Sequence, residues 1–252
     1  MSTTAEAAIE PSVAEGILRV PHAYVNWYLL DDADGVTIVD AGLPRHWDLL
    51  PKALQRIGRR LEDVRALVLT HGHYDHVGFA ERARTELGIP VYAPRGEDIY
   101  HHPLRFPFER PPFLYASNPG FLKVAARFAA NGALFTKGVE EVTEFGDGEE
   151  LPVPGRPRVL ATPGHTPGHV ALHLPDQDAV ITGDALVTLD PYTGLTGPRL
   201  VAKAALADSA QNLATLSRIA ETGAGHLFPG HGEPWHGPAE EAVAIARRNG
   251  TR

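Results

Sequence analysis

Residues 68–78 read "VLTHGHYDHVG". Three histidines and an aspartate fall within six residues, directly after an apolar run. Ionisable side chains ordinarily face water, so a polar surface turn is the plainest account of such a stretch. The preceding "VRALVLT" (64–70) reads as a buried strand, however, and the polar cluster begins where that strand ends. Loops held at strand ends by a rigid scaffold are where catalytic groups concentrate.

Two further stretches share this placement. "TPGHTPGH" (162–169) with "TGDAL" (182–186), and "FPGHG" (228–232), each sit just beyond an apolar, strand-like run. If those strand ends meet at one edge of the fold, His71, His73, Asp75, His76, His165, Asp184 and His231 converge. Imidazole and carboxylate suit Zn, Fe or Mn, and a chain with no cysteine offers no thiolate to a softer metal. Gly72 gives the backbone freedom for His71 and His73 to address one ion. Asp75 and His76, read as the start of the next helix, turn to a second. The spacing therefore assigns His71, His73 and His165 to one ion and Asp75, His76 and His231 to the other. Asp184 is the candidate bridge, because one carboxylate can offset two cations about 3.5–4 Å apart.

The rest of the chain supplies a scaffold of alternating strands and helices. "YVNWYLL" (24–30) and "GVTIVDAGL" (35–43), separated by the turn "DDADG", read as an antiparallel pair. Apolar spacing predicts a helix from Trp47 to Leu61 and another over 77–88, ending at Gly88; "IPVYAP" (89–94) is a strand. Residues 99–120 contain five prolines and exclude a regular helix, whereas 121–132 looks helical. Three strands follow in 156–164, 169–175 and 178–186, then a helix from Ala202 to Thr222, a short strand at 226–230 and a closing helix at 238–249. No composition break marks a linker. A single domain over 17–252 is expected, after a flexible segment at 1–16 and with a substrate-entrance insertion at 98–135.

Bulk properties narrow the function. Of the 252 residues, 43% are apolar and 21% charged, as in globular proteins. No apolar run approaches the length of a membrane span, and "MSTTAEAAIEPS" lacks the basic start and apolar core of a secretory signal, so a cytoplasmic protein is expected. The net charge of −8 argues against nonspecific binding to phosphate backbones, and nucleic acid is not an expected partner. Oligomeric state is open, with a homodimer as one arrangement.

"THGHYDH" resembles the H-x-H-x-D-H signature of the metallo-β-lactamase superfamily. His165, Asp184 and His231 match that superfamily's later ligands in order, and Asp40 in "VDAG" (39–42) resembles a supporting acid beneath the metals. The resemblance runs from about residue 17 to 235. It implies an α/β fold, a four-layer αβ/βα sandwich of two mixed β-sheets with outer helices, carrying a dinuclear site for two Zn ions, with Fe or Mn as alternatives. It also implies hydrolysis of a small-molecule ester, lactone or thioester by metal-bound hydroxide, with Asp75 as both ligand and catalytic residue. Glyoxalase II-like and lactonase-like members are the nearest in pattern. The former carry a further helical region with basic glutathione contacts, and this chain has only about 20 residues after His231. Nuclease-like phosphodiesterases share the first motif, and persulfide dioxygenase-like oxidoreductases hold one iron with counterparts of His71, His73, His165 and Asp184.

Outside the seven, His169 is a candidate support, donating to a carboxylate or backbone carbonyl. Tyr192 is a candidate substrate contact. His101 and His102 read as surface or entrance groups. His22, His46, His226 and His236 have no motif, and Asn26 and Trp27 read as packing residues. Substrate selection is expected from the aromatic, proline-rich segment and from "VTLDPYTGLTGPRL" (187–200), read as a loop.

Overall fold

A computed structural model describes residues 13–251. Residues 1–12 of the expected N-terminal segment lie outside it; Val13–Gly16 are tied down, with the Val13 N–H donating to Ile17 O at 2.9 Å and the Asp31 N–H to Gly16 O at 2.8 Å. The first half contributes strands β1 (Ile17–His22), β2 (Val25–Asp32), β3 (Gly35–Val39), β4 (Val64–Val68), β5 (Val91–Pro94) and β6 (Thr143–Phe145). They form one sheet in sequential order, antiparallel from β1 to β3 and parallel from β3 to β6. The second half contributes β7 (Arg158–Ala161), β8 (Val170–Leu174), β9 (Ala179–Gly183), the hairpin β10 (Val187–Leu189) and β11 (Thr196–Arg199), then β12 (His226–Pro229) and β13 (Trp235–His236). The second sheet runs β13-β12-β9-β8-β7, with only β12 and β9 parallel.

Period-two alternation explains how these sheets stack. Along β2, Tyr28 and Leu30 join a core that also holds Val68, Leu172, Ile181 and Phe228, so both sheets bury their inner faces against each other. Trp27 and Leu29 point the other way, against α1 (Leu50–Arg56) and α2 (Ala80–Leu87). On the second sheet, Val180 and Leu227 face α4 (Ser209–Ala220) and α5 (Ala239–Asn249). Helix, sheet, sheet, helix is the four-layer αβ/βα sandwich. Each fully buried large apolar side chain contributes about 1.5–3 kcal/mol relative to exposure.

Several boundaries differ from the sequence pattern for local reasons. The helix read from Trp47 to Leu61 is a 3₁₀ turn at Pro44–Leu49 followed by a short α1, which ends before the left-handed Gly58. The helix expected from Ala202 begins only at Ser209, where the Asp208 carboxylate accepts the Gln211 N–H at 2.8 Å and caps it. Helix α2 starts at Ala80, so Asp75 and His76 stand in the preceding turn and not on the helix. Residues 187–200 are the β10–β11 hairpin and not a loop throughout. Segment 98–135 follows expectation in having no long helix before α3 (Pro119–Ala130); it otherwise forms 3₁₀ turns at Asp98–His101, Pro112–Tyr115 and Ala133–Phe135.

Strand direction does the positioning. Asp40 follows β3, His71 to His76 follow β4, His165 follows β7, Asp184 follows β9 and His231 follows β12. The seven candidate ligands and Asp40 thus leave C-terminal strand ends, whereas His169 stands directly before the start of β8.

Candidate metal centre

Seven side chains, all buried, meet between the two sheets. Nitrogens of His71, His73 and His165 form one group, and Asp75, His76 and His231 form another, the potential ligand atoms of each lying within 4.8 Å of one another. His165 Nε2 is 2.9 Å from His73 Nδ1 and 3.3 Å from His71 Nε2. Asp75 Oδ2 is 3.4 Å from His231 Nε2 and 4.0 Å from His76 Nε2. Asp184 stands between the groups: Oδ2 is 3.5 Å from His165 Nε2 and 3.1 Å from His231 Nε2, while Oδ1 is 3.6 Å from His76 Nε2. One carboxylate therefore faces both triads.

Each ring is held by its other nitrogen or by its neighbours. Asp40 accepts from His76 Nδ1 at 2.9 Å and from the Thr70 N–H and Oγ1, so a single buried carboxylate orients His76 and fixes the start of the loop. Its left-handed backbone, with φ of 60°, turns the chain off β3 to make this possible. Thr70 Oγ1 is 3.0 Å from His71 Nδ1, and His231 Nδ1 donates to Tyr24 O at 2.7 Å. His169 supports the centre differently from the expected donation to a carboxylate or carbonyl: its Nε2 accepts the Asp184 backbone N–H at 3.0 Å, and its Nδ1 pairs with Thr162 Oγ1 at 2.9 Å.

The electrostatics divide along the same line. Burial, reinforced by neighbouring imidazoles, drives His71 and His165 well below the ordinary histidine range, and burial lowers His73 to about 3. These rings are neutral, the form that binds a cation. Burial also disfavours charge on His76 and His231, but Asp184 and its fellow carboxylates outweigh it and raise both. Asp184 is held well below the carboxylate range, since His231 and His76 overcome its burial. Burial raises Asp75.

This donor set fits divalent cations. His76 Nε2 and Asp184 Oδ1 are buried without a hydrogen-bond partner among the described residues, an arrangement that costs free energy unless something occupies the space between them. Their ligand types, three imidazoles on one side and a carboxylate with two imidazoles on the other, suit first-row metals.

Close backbone packing makes the convergence possible. A Cβ on Gly230 would strike Asp184 Oδ1 and stand 2.7 Å from His76 Cε1. Gly72 is needed for a reason other than conformational freedom. Its Cα abuts the 98–101 turn, where a Cβ would strike Tyr100 N and come within 2.8 Å of Ile99 C.

Two groups escaped the sequence pattern. Glu97 is buried just beyond β5 and bridges the first two ligand loops. It accepts from the Gly72 N–H at 2.8 Å, from Thr166 Oγ1 at 2.7 Å and from the Gly168 N–H at 2.8 Å. Its place after a strand end was the available signal, masked by the polar run "PRGED". Asn26 is more than a packing residue, since its side-chain amide donates to Pro229 O at 2.8 Å and Gly232 O at 2.7 Å and so brackets the His231 loop. Trp27 does pack, edge-on to Phe79 at 5.3 Å. His101 and His102 are exposed, and His22, His226 and His236 stand apart from the cluster.

A cavity of about 290 Å³ opens onto His73, Asp75, Asp184 and His231. Its far walls are apolar, formed by Leu104, Phe106, Phe121, Val124, Phe128 and Leu134, and no Lys or Arg lines it among the described residues. Tyr192 reaches it from the β10–β11 turn, stacked on Phe121 at 5.5 Å.

The family model of the metallo-β-lactamase superfamily matches residues 21–231. This chain belongs to that superfamily. Within it, the chain is 29% identical over 182 residues to the probable metallo-hydrolase YflN of Bacillus subtilis, covering 70% of this chain and 66% of that protein. It is 28% identical over 164 residues to the hydroxyacylglutathione hydrolase GloC of Haemophilus influenzae, covering 62% of this chain and 63% of that one. The matches thus span just under two thirds of these relatives. Among solved structures, the metallo-β-lactamase family protein TTHA1429 of Thermus thermophilus superposes with a TM-score of 0.66 at 26% identity, over 94% of this chain and 80% of that one. TTHA1623, solved in a di-iron-bound form, superposes with a TM-score of 0.61 at 26% identity, over 87% of this chain and 93% of that one.

Proposed function

We propose that this chain is a dinuclear metal-dependent hydrolase, most simply a zinc enzyme, acting on small, uncharged or weakly anionic esters, lactones or thioesters. The observation that carries this reading is Asp184 standing between two ligand triads at the floor of an apolar cavity. In the proposal His71, His73 and His165 hold one ion, Asp75, His76 and His231 the other, and Asp184 both. When bound, such ions lower the pKa of a coordinated water from about 15.7 toward about 7 and polarise the oxygen that gains charge.

The chain's own residues supply the rest. Asp75, which lines the cavity beside His231, orients the attacking water and accepts its proton. The water oxygen bonds to the acyl carbon, the bond from that carbon to the leaving oxygen or sulfur breaks, and the leaving group departs with a proton. Burial pushes the Tyr74 and Tyr192 phenols well above their ordinary range, so both remain O–H donors facing the cavity. Residues 17–252 act as one catalytic unit, and segment 98–135 walls the substrate entrance. The hydroxyacylglutathione hydrolases among the relatives point to thioesters, but no Lys or Arg lines the cavity to pair with a glutathione carboxylate.

Metal analysis of protein purified without chelator, combined with a parallel panel of acyl esters, lactones, glutathione thioesters, β-lactams and phosphodiesters, tests this reading. About two ions per chain and the highest kcat/KM on an uncharged acyl substrate are expected. Phosphodiesters leading by roughly 100-fold, about 2.7 kcal/mol, would overturn the acyl assignment. One iron per chain with oxygen consumption on a persulfide would overturn hydrolysis.

A further inference from the structure

All seven exposed large apolar side chains among the described residues fall between positions 104 and 135. Phe135 is 80% exposed, Phe113 73%, Leu134 72% and Leu122 54%. Their placement follows the cavity: Leu104 and Leu134 line its mouth, Leu122 and Phe113 are chain neighbours of the lining residues Phe121 and Pro112, and Phe135 adjoins Leu134. Single exposed leucines need no explanation, but apolar groups confined to one rim mark a contact surface.

Charge identifies what the rim meets. Residues 98–137 carry five Lys and Arg against two acids, in a chain whose net charge is −8. All five cations are exposed: Arg105, Arg110, Lys123, Arg127 and Lys137. Of the two acids, Glu109 is already engaged by the Ser209 N–H at 2.7 Å and by Lys203 at 3.4 Å. A second copy docked through a twofold contact would set this cationic rim against itself. An anionic lipid surface complements both features, with aromatic and aliphatic tips entering the acyl boundary and Lys and Arg pairing with headgroups.

We infer that the rim of the cavity docks onto an anionic phospholipid bilayer, so that the apolar cavity opens toward the lipid. No helix of the described residues is long and apolar enough to cross a membrane, and the contact is peripheral. This goes beyond the hydrolytic reading and is measured without turnover.

The test is sedimentation of the full chain with vesicles of phosphatidylcholine alone or with about 30 mol% phosphatidylglycerol, at roughly 0.1 M salt where the Debye length is about 10 Å. Partitioning onto the anionic vesicles is expected to be at least about 10-fold stronger, as several cations act together near the surface. Phe113→Asp/Leu134→Asp/Phe135→Asp should lose vesicle binding with an unchanged far-UV spectrum. Lys123→Glu/Arg127→Glu, a milder surface variant, should abolish the preference for the anionic lipid. The inference fails if the wild-type chain remains in the supernatant, or if it binds both vesicle types equally. It fails too if the apolar variant binds as well as wild type. A dimer that the apolar variant converts to monomer, with no vesicle binding by either, would assign the rim to a second copy.

Discussion

Asp184 concentrates the chemistry of the site in one side chain, because its two oxygens face imidazoles of both triads. Asp184→Asn keeps the shape and removes the charge, which in the proposed dinuclear centre would leave two cations without their common anion. Metal content should fall and turnover should drop by at least about 10-fold, since even partners that merely orient ligands cost about 10–100-fold when removed. Elemental analysis of the purified variant beside its kcat checks this, and full metal loading with unchanged turnover would remove Asp184 from the centre. The residue was legible beforehand because it stands in "TGDAL" directly after an apolar run, in register with the histidine clusters. Glu97 was not legible in that way. Its role depends on three donors contributed by residues 72, 166 and 168, and no spacing along the chain records that meeting.

At the scale of elements, the ligand loops are rigid because they are stapled to one another. Glu97 joins the loop after β4 to the loop after β7, with one oxygen on the Gly72 N–H and the other on Thr166 Oγ1 and the Gly168 N–H. Glu97→Gln turns one of those acceptors into an N–H donor facing an N–H or a hydroxyl. A buried donor left unsatisfied costs about 1–3 kcal/mol, and the misaligned loops should hold metal at least about 10-fold more weakly. Competition with a chromophoric chelator measures the affinity. An affinity equal to wild type, in a variant that is destabilised, would show that Glu97 supports the fold without aligning the loops. Strand and helix types were mostly readable from periodicity, as the alternation of β2 between the inner core and the α1–α2 face illustrates. Boundaries were less so. The start of α4 is set by the Asp208 cap, and the edge strands β6 and β13, of three and two residues, are too short to carry a pattern of their own. The six-residue β1 is buried on both faces along Ile17–Val20 and so shows no polar alternation.

Over the whole molecule, burying neutral histidines ties stability to pH, and His46 isolates this effect from the metal centre. It is fully buried beside His22, both ring nitrogens lack partners among the described residues, and burial, with His22 adding to it, lowers its pKa from 6.5 to about 3. The folded chain therefore refuses a proton that the unfolded chain accepts below about 6.5. Stability from this group is fully present above the unfolded value and is lost as the pH falls from there toward the folded value near 3. Between those limits the slope approaches about 1.4 kcal/mol per pH unit, which gives a loss of about 2 kcal/mol between pH 7 and pH 5. His46→Leu fills a similar volume without a titrating ring. Urea unfolding of both chains at the two pH values should show wild type losing about 2 kcal/mol more than the variant, the shared histidines of the metal centre cancelling in the difference. Parallel losses would mean that His46 takes up its proton in the folded state at the ordinary pH, and that its cavity opens to water.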